Sequence, residues 1–323
     1  MNNLNEQYNK GLLVAVKEYL PKNINPAGFL MDTLHIERSA AYRRLRGEIH
    51  FTFEEASLIA KNLHFSLDMV VGKERVAQII PYNLYVTEFE TPREIDYKIL
   101  EEYLSLIRLA QHDSASQLNI SANFFPEHIF IQYENLLKFF LFKWRYYYNG
   151  NQSVKAYNDI RITGRMQQIF KELFNTYLEF KDTCFIFDKY VSQYLVNDLQ
   201  YFSSIGLLDE DAKNAVREDV CKMLDYIENI CLTGKYSNGN NVQMYISNLN
   251  FNKSFCTLKI FNHRYCIIEV CVLNGIASTD EWNYEMMNNW MMSRRKTSIN
   301  ITQCAELQRI EFFKEQRQIL HSL

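Results

Sequence analysis

Residues 30–47 have the sequence LMDTLHIERSAAYRRLRG, and residues 48–72 continue it as EIHFTFEEASLIAKNLHFSLDMVVG. The first stretch predicts a short helix, a tight turn and a second helix. Leu30 and Leu34 are one helical turn apart and form the apolar face of the first helix. Ile36 follows the turn as an apolar anchor, and Ala41 and Leu45 form the buried side of the second helix. The two helices are therefore expected to pack at an angle that the turn fixes.

The opposite side of the second predicted helix is rich in arginine. Four arginines occur within residues 38–46, and no acidic residue interrupts them. Arg38, Tyr42 and Arg46 form one i, i+4 row, and Ser39 and Arg43 belong to the next. An arginine grips a guanine edge or a phosphate through paired hydrogen bonds, and helix-turn-helix geometry presents such a helix to the major groove. The residues predicted to contact DNA are Arg38, Ser39, Ala40, Tyr42, Arg43 and Arg46.

The residues that flank these two helices predict the rest of a small bundle. Thr52, followed three residues later by Glu55, is a capping-box sequence that begins a helix. Ser66 is expected to cap a further short helix. An earlier helix is predicted over residues 4–20, so the N-terminal domain is expected to contain five helices. The apolar stripe after Thr52 consists of Ala56, Ile59, Ala60 and Leu63.

Residues 28–72 resemble the phage-repressor-type (Cro/repressor, XRE) helix-turn-helix family. The resemblance depends on LxxxLxIxRSAAYRRLRG and on the later IAKxLxxSLD, and it implies a DNA-binding domain. The family usually has a small residue where Met31 stands and glycine where His35 stands. We expect the small Ala41 to make room for Met31, and His35 to adopt a left-handed conformation.

The composition limits the possible classes of protein. The chain has 323 residues, 47% of them hydrophobic and 14% aromatic, which predicts two or three folded domains rather than a disordered chain. Its net charge of −3 provides no overall attraction to nucleic acid, so any such attraction must be local. No signal-peptide pattern and no run of about 18 apolar residues occurs, and the seven cysteines form no CxxC pair. We therefore expect a cytoplasmic protein without a membrane partner.

The remainder of the chain is predicted to be a larger, mostly helical body. Helical spacing of apolar residues extends from residue 93 to about residue 234. β-branched and aromatic runs then predict three strands, with Asn262 and His263 as a hairpin turn and Leu258 opposite Ile267. The third strand is nearly all apolar and is expected to be buried on both faces. The strands are predicted over residues 242–249, 254–261 and 264–273, and two last helices over residues 279–293 and 302–320.

The predicted fold class is mainly α. It comprises an N-terminal five-helix helix-turn-helix bundle and a larger helical body that contains a small antiparallel β-sheet near residues 242–273 (α+β). The predicted boundaries are a DNA-binding domain over residues 1–72, a linker over residues 73–94 and a dimerisation or sensing domain over residues 95–323.

Two patterns in the body suggest a site but have simpler explanations. Cys266 and Cys271 are five residues apart on a predicted strand, so they point to opposite faces and do not share a metal ion with His263. The aromatic run over residues 139–148 covers every face of one helix, which favours core packing over stacking on nucleic-acid bases. Neither a phosphate-binding loop nor a catalytic motif occurs, so no catalytic residue, metal or cofactor is predicted.

Three further residues are candidates for ligand or dimer contacts. Glu269 lies inside an apolar strand and needs a partner, for which an internal arginine is favoured over a cationic ligand. Trp282 and Trp290 belong to a helix with several methionines, which suits either an irregular contact surface or the core.

The functional prediction is a sequence-specific DNA-binding regulator of transcription. It is expected to bind double-stranded DNA as a homodimer, because one such head contacts only a few base pairs. The family resemblance implies a separate sensing body, so a small-molecule or peptide effector is expected as well. One alternative is a DNA-targeted enzyme or protein-interaction scaffold whose head only docks it. Another is an adaptor whose head binds protein, and this predicts an interaction that salt does not weaken.

Overall fold

The computed structural model describes residues 2–21, 24–65, 67, 70, 83–84, 86–148, 155–250 and 253–321 of the chain. Within these residues, four helices form an N-terminal head, and eight further helices and eight strands follow it. The head helices are α1 Asn2–Tyr19, α2 Pro26–Leu34, α3 Arg38–Leu45 and α4 Phe53–Leu63. The body helices are α5 Glu94–Ile107, α6 Glu127–Phe130, α7 Glu134–Tyr148, α8 Gly164–Tyr177, α9 Val191–Ser204, α10 Glu210–Thr233, α11 Glu281–Lys296 and α12 Glu306–His321. The strands are β1 Asn83–Leu84, β2 Gln117–Ala122, β3 Asp182–Asp188, β4 Asn241–Ser247, β5 Phe255–Ile260, β6 His263–Cys271, β7 Asn274–Ser278 and β8 Ser298–Asn300.

The head helices enclose a small apolar core of their own. Val16, Leu30, Ala41 and Ile59, one from each helix, are fully buried in it. Met31 is half-buried and packs against the same core, to which the small Ala41 belongs. Of the predicted closing helix at residues 66–70 only Leu67 and Val70 are described, and both pack against this core; half of the predicted linker at residues 73–94 lies outside the described residues.

The body is built around one large mixed sheet, so the prediction of a mainly α fold with a small antiparallel sheet is wrong. The strand order is β1-β7-β6-β5-β2-β3-β4-β8. The central strands β2, β3 and β4 are parallel, whereas the outer strands on both sides pair antiparallel. Strands β2 and β3 lie in the stretch that was predicted to be helical throughout. The fold class is therefore α+β, with the sheet at its centre.

The two faces of this sheet are covered unequally. On β3, Phe185 and Phe187 enter the main core, which helices α5, α7, α8, α9, α10 and α12 complete. The alternate residues Cys184 and Ile186 enter a smaller core on the other face, where Met291 of α11 meets them. This alternation is the two-residue period of a strand. One face thus has a thick helical layer, and α11 covers the other.

The predicted β5–β6 hairpin is present, but its register differs. Leu258 pairs with Tyr265 rather than with Ile267, and the turn consists of Phe261 and Asn262. Phe261 supplies the left-handed backbone of this turn, with φ 51°. The shift amounts to two residues, so each side chain keeps its expected face. The prediction that β6 is buried on both faces is wrong, because most of its side chains are half-buried or exposed.

The predicted core role of the aromatic run is confirmed. Phe139, Phe142 and Trp144 of α7 are buried in the main core, and of the aromatic residues in this run only Tyr147 and Tyr148, at the end of the helix, are exposed. None of the described helices is both long enough and apolar enough to cross a membrane.

Candidate nucleic-acid interface

The turn between α2 and α3 has the left-handed geometry that the sequence predicts. His35 ends α2 with φ 52° and ψ 45°, a conformation in which histidine is among the tolerated residues. Helix α3 begins three residues later, and Ile36 packs against the head core between the two helices. At the start of α2, the Asn25 side chain accepts hydrogen bonds from the amides of Ala27 at 2.8 Å and Gly28 at 3.4 Å. Residues close to α3 in the sequence therefore fix its position relative to α2.

Helix α3 presents most of the predicted DNA-contacting residues together on its outer side. Arg38, Ser39, Tyr42 and Arg43 are exposed along the helix, and Arg46 is exposed at its C-terminal cap. The guanidinium carbon of Arg38 lies 5.7 Å from the centre of the Tyr42 ring, as in a cation–π contact. The sixth predicted residue, Ala40, is half-buried.

The remaining arginine of residues 38–46, Arg44, belongs to the structure of the head rather than to this surface. Its guanidinium binds the Glu55 carboxylate through two hydrogen bonds, of 3.2 and 2.6 Å. Both side chains are largely buried, with 13% and 17% exposed. Glu55 also completes the predicted capping box with Thr52, which the structure confirms. The pair thus ties α3 to the beginning of α4.

Glu48, which the sequence reasoning did not single out, neutralises part of the arginine surface. It accepts hydrogen bonds from Arg46 at 2.6 and 3.2 Å and lies 3.4 Å from Arg43. The Arg46 guanidinium lowers the pKa of Glu48 below its ordinary value, so this carboxylate is ionised at neutral pH. A phosphate that binds these arginines must compete with Glu48. The only sequence signal was that Glu48 follows Arg46 by two residues.

The head contacts the body at the tip of the β5–β6 hairpin. The side-chain amide of Asn262 donates a hydrogen bond to the carbonyl of Glu18, and the rings of Tyr19 and His263 lie 5.4 Å apart. Burial, with smaller contributions from His64 and Arg264, lowers the pKa of His263 to about 4. His263 is therefore neutral at physiological pH.

The candidate residues of the body occupy two separate places. Trp282 and Trp290 lie on the outer side of α11, with 47% and 60% of their surfaces exposed, and Met286 stands between them at 36%. This spacing of four residues forms one exposed apolar row, which we call the α11 stripe. Glu269 lies on β6 and lines a cleft that none of these three residues lines. The predicted pairing of Glu269 with an internal arginine is wrong, because the opposite charges that act on it are Lys143 and Lys253.

Glu269 lines a cleft at the carboxyl end of β2, between the β2–α6 connection, the start of β5 and the end of β6. Glu127 and His128, both at the start of α6, line its inner part. Burial raises the pKa of Glu127 to about 7, and burial together with the charge of Glu127 raises the pKa of Glu269 well above its ordinary value. The sequence reasoning missed Glu127 and His128 because β2, which positions them, was not recognised as a strand.

Of the two cysteines of β6, Cys266 is buried and Cys271 is exposed. No group of three or more His, Cys, Asp or Glu side chains arranged to hold a metal ion occurs among the described residues. Comparisons of the chain with models of protein families, with curated proteins and with solved structures gave no match.

Proposed function

We propose that this protein is a sequence-specific DNA-binding regulator of transcription that acts as a homodimer. One observation carries the proposal: α3 follows a three-residue turn that begins with the left-handed His35, and Arg38, Ser39, Tyr42, Arg43 and Arg46 are exposed along α3 and at its C-terminal cap. A helix held in this way fits the major groove, and its side chains suit contacts with base edges and phosphates. The body would then dimerise and respond to an effector.

The charge of the head supports a strongly salt-dependent interaction. Residues 1–75 carry ten basic and nine acidic residues, so attraction to DNA depends on the local set Arg38, Arg43 and Arg46 rather than on net charge. Two heads with three arginines each supply about six phosphate or base contacts. Six phosphate contacts lower affinity roughly 10³-fold between 50 and 200 mM salt.

The first test measures binding of the full chain to mixed-sequence duplex DNA at these two salt concentrations. The test variant carries Arg43→Gln and Arg46→Gln. The control variant carries Lys171→Gln and Lys314→Gln, which remove the same charge from exposed positions of the body. We expect the test variant to bind more weakly and with a shallower salt dependence, and the control to match the wild type. Equal binding by both variants contradicts DNA contact through α3.

The α11 stripe supports a second copy of this chain as the dimer partner. Its exposed row of Trp282, Met286 and Trp290 is large and apolar, which is typical of a protein contact surface. Helix α11 begins with Glu281 and ends with a basic segment, Arg294 to Lys296. Two copies related by a two-fold axis near Met286 would align antiparallel. Each tryptophan would then meet the other tryptophan of the second copy, and each acidic start would face a basic end.

Sedimentation of the full chain tests this arrangement. Trp290→Ala is expected to shift a dimer towards monomer, because the side chain is 60% exposed and its loss removes contact area without disturbing the core. Leu307→Ala is the matched control, since Leu307 is 72% exposed on α12, away from the stripe. A dimer that survives Trp290→Ala and dissociates with Leu307→Ala places the contact elsewhere.

A second candidate, an enzyme that the head docks on DNA, is favoured by one feature of the body. Glu127 and Glu269 share a cleft, and the pKa of about 7 at Glu127 suits proton transfer near neutral pH. The two candidates differ in the fate of a bound molecule. A molecule recovered unchanged from the cleft after long incubation supports sensing, whereas a chemically altered one supports catalysis.

A further inference from the structure

The cleft lies at a place in the sheet where the chain topology leaves room for a ligand. From β2 the parallel strands β3 and β4 extend to one side, and the antiparallel strands β5, β6 and β7 extend to the other. The carboxyl end of β2 is thus the point where the strand order diverges, and such points are the usual ligand crevices of α/β sheets. The outer part of the cleft has a volume of about 260 Å³, and Ser254 and Glu269 line both parts.

The inner part of the cleft is lined by two carboxylates and an imidazole, those of Glu127, Glu269 and His128. Glu127 and Glu269 repel each other there, since the charge of Glu127 raises the pKa of Glu269. His128 beside them is only 7% exposed, and neither of its ring nitrogens has a hydrogen-bond partner among the described residues. Buried polar atoms are normally paired, so an unpaired imidazole in a cleft indicates a position that a ligand atom fills. The ring packs on Tyr177, with the two centres 4.4 Å apart, which fixes its orientation.

The outer part of the cleft combines aromatic and apolar side chains with the charged groups of Lys143, Asp198 and Lys253. Phe124, Phe140, Leu195 and Val272 line it. The nearby Lys143 forms an ion pair with Asp198 at 2.5 Å, so its charge is already balanced. A bare metal ion would leave this apolar wall without a contact. An organic molecule with one positive end and one apolar end would satisfy both parts of the cleft.

We propose that this cleft binds a small primary amine with an aromatic or branched apolar group. The ammonium lies between Glu127 and Glu269 and offers a hydrogen bond to His128, and the apolar group occupies the outer part. An ammonium has three N–H donors, enough for two carboxylates and one imidazole nitrogen. This binding does not depend on the head or on DNA.

Calorimetry with 2-phenylethylamine tests the proposal, and 3-phenylpropanoate serves as a probe of similar shape and opposite charge. We expect the amine to bind and the carboxylate not to bind. Glu127→Gln and Glu269→Gln are each expected to weaken the amine at least tenfold. Glu306→Gln, an exposed position on α12, is expected to leave it unchanged. Circular dichroism of each variant checks that the fold is retained.

A second readout separates an ionic contact from simple burial of the aromatic ring. Because the pKa of Glu127 is about 7, an ammonium that favours its ionised form releases a proton at pH 7. Titrations in two buffers of different ionisation enthalpy measure that release, which Glu127→Gln is expected to reduce. Equal binding of the two probes, binding of Ca²⁺ or Zn²⁺ in place of the amine, or unchanged affinity in both glutamine variants overturns the proposal.

Discussion

Arg43 and Arg44 are adjacent in sequence but are expected to respond oppositely to the same substitution. Arg44 binds Glu55 with both side chains less than one-fifth exposed, whereas Arg43 is 54% exposed and lies near Glu48, which is 46% exposed. Exposed ion pairs contribute about 0–1 kcal/mol, and breaking a fully buried one costs about 3–5 kcal/mol. Arg44→Ala leaves Glu55 its hydrogen bond from the Thr52 amide. We therefore expect it to destabilise the head by an intermediate amount, about 2 kcal/mol.

Hydrogen exchange of the α3 amides measures this effect within the head. A loss of about 2 kcal/mol corresponds to roughly thirtyfold faster exchange in Arg44→Ala. Arg43→Ala is expected to change the same exchange rates by less than about twofold, since exposed substitutions stay within about 0.5 kcal/mol. Arg43→Ala is instead expected to weaken DNA binding, by about 1–3 kcal/mol. Unchanged exchange in Arg44→Ala, or equal destabilisation by both variants, refutes this division of roles.

Three other perturbations follow from single contacts. Glu48→Gln should tighten DNA binding severalfold, because it frees the arginines beside it, and titration of labelled DNA measures this. The pKa of His263 is about 4 in the folded protein, below the ordinary 6.5. As the pH falls, this histidine is therefore protonated in the unfolded chain before it is protonated in the folded one. The stability that neutral His263 contributes above pH 6.5 is therefore lost as the pH falls towards 4. Between pH 7.5 and pH 5, the thermal unfolding midpoint of His263→Gln should fall less than that of the wild type. Gly234 and Gly206 both have positive φ, of 68° and 74°, but only at Gly234 would an added Cβ meet another side chain, Gln303 at 2.8 Å. Gly234→Ala should therefore lower the unfolding midpoint further than Gly206→Ala, whose cost is about 1 kcal/mol; equal losses contradict this reasoning.

The head was predictable because its determinants are local. The capping box at Thr52, the left-handed His35 and the buried Ala41 each depend on a few neighbouring residues, and the structure confirms all three. What periodicity did not reveal is which arginine is structural. Arg44 differs from Arg43 only through Glu55, eleven residues away, so its role depends on how α3 and α4 pack.

The body was less predictable because its central strands depend on distant partners. Strand β3, with the sequence DTCFIFD, is buried on both faces, so it lacks the alternation of apolar and polar residues that identifies a half-exposed strand. A short apolar run of this kind resembles a segment of a buried helix. The hairpin β5–β6 was recognised because both strands and the turn are contiguous, although the register was two residues off.

The candidate sites show the same difference between local and distant determinants. Glu269 was noticed because one carboxylate interrupts an apolar strand. Glu127 and His128 carry no signal of their own in the sequence and lie 142 and 141 residues before Glu269. The sheet brings them to the same cleft, and only its topology shows that they act on one another.

Enrichment of bound fragments from a library of random duplex DNA tests most directly whether α3 recognises DNA sequence. The wild-type chain should enrich a two-fold symmetric site whose half-sites lie about one helical turn apart, near 34 Å. Arg43→Ala should retain that symmetry but lose preference at one base pair in each half-site if Arg43 contacts a base, or lose affinity uniformly if it contacts a phosphate. Absence of any enriched sequence with the wild-type protein would contradict the proposal that this chain is a sequence-specific regulator.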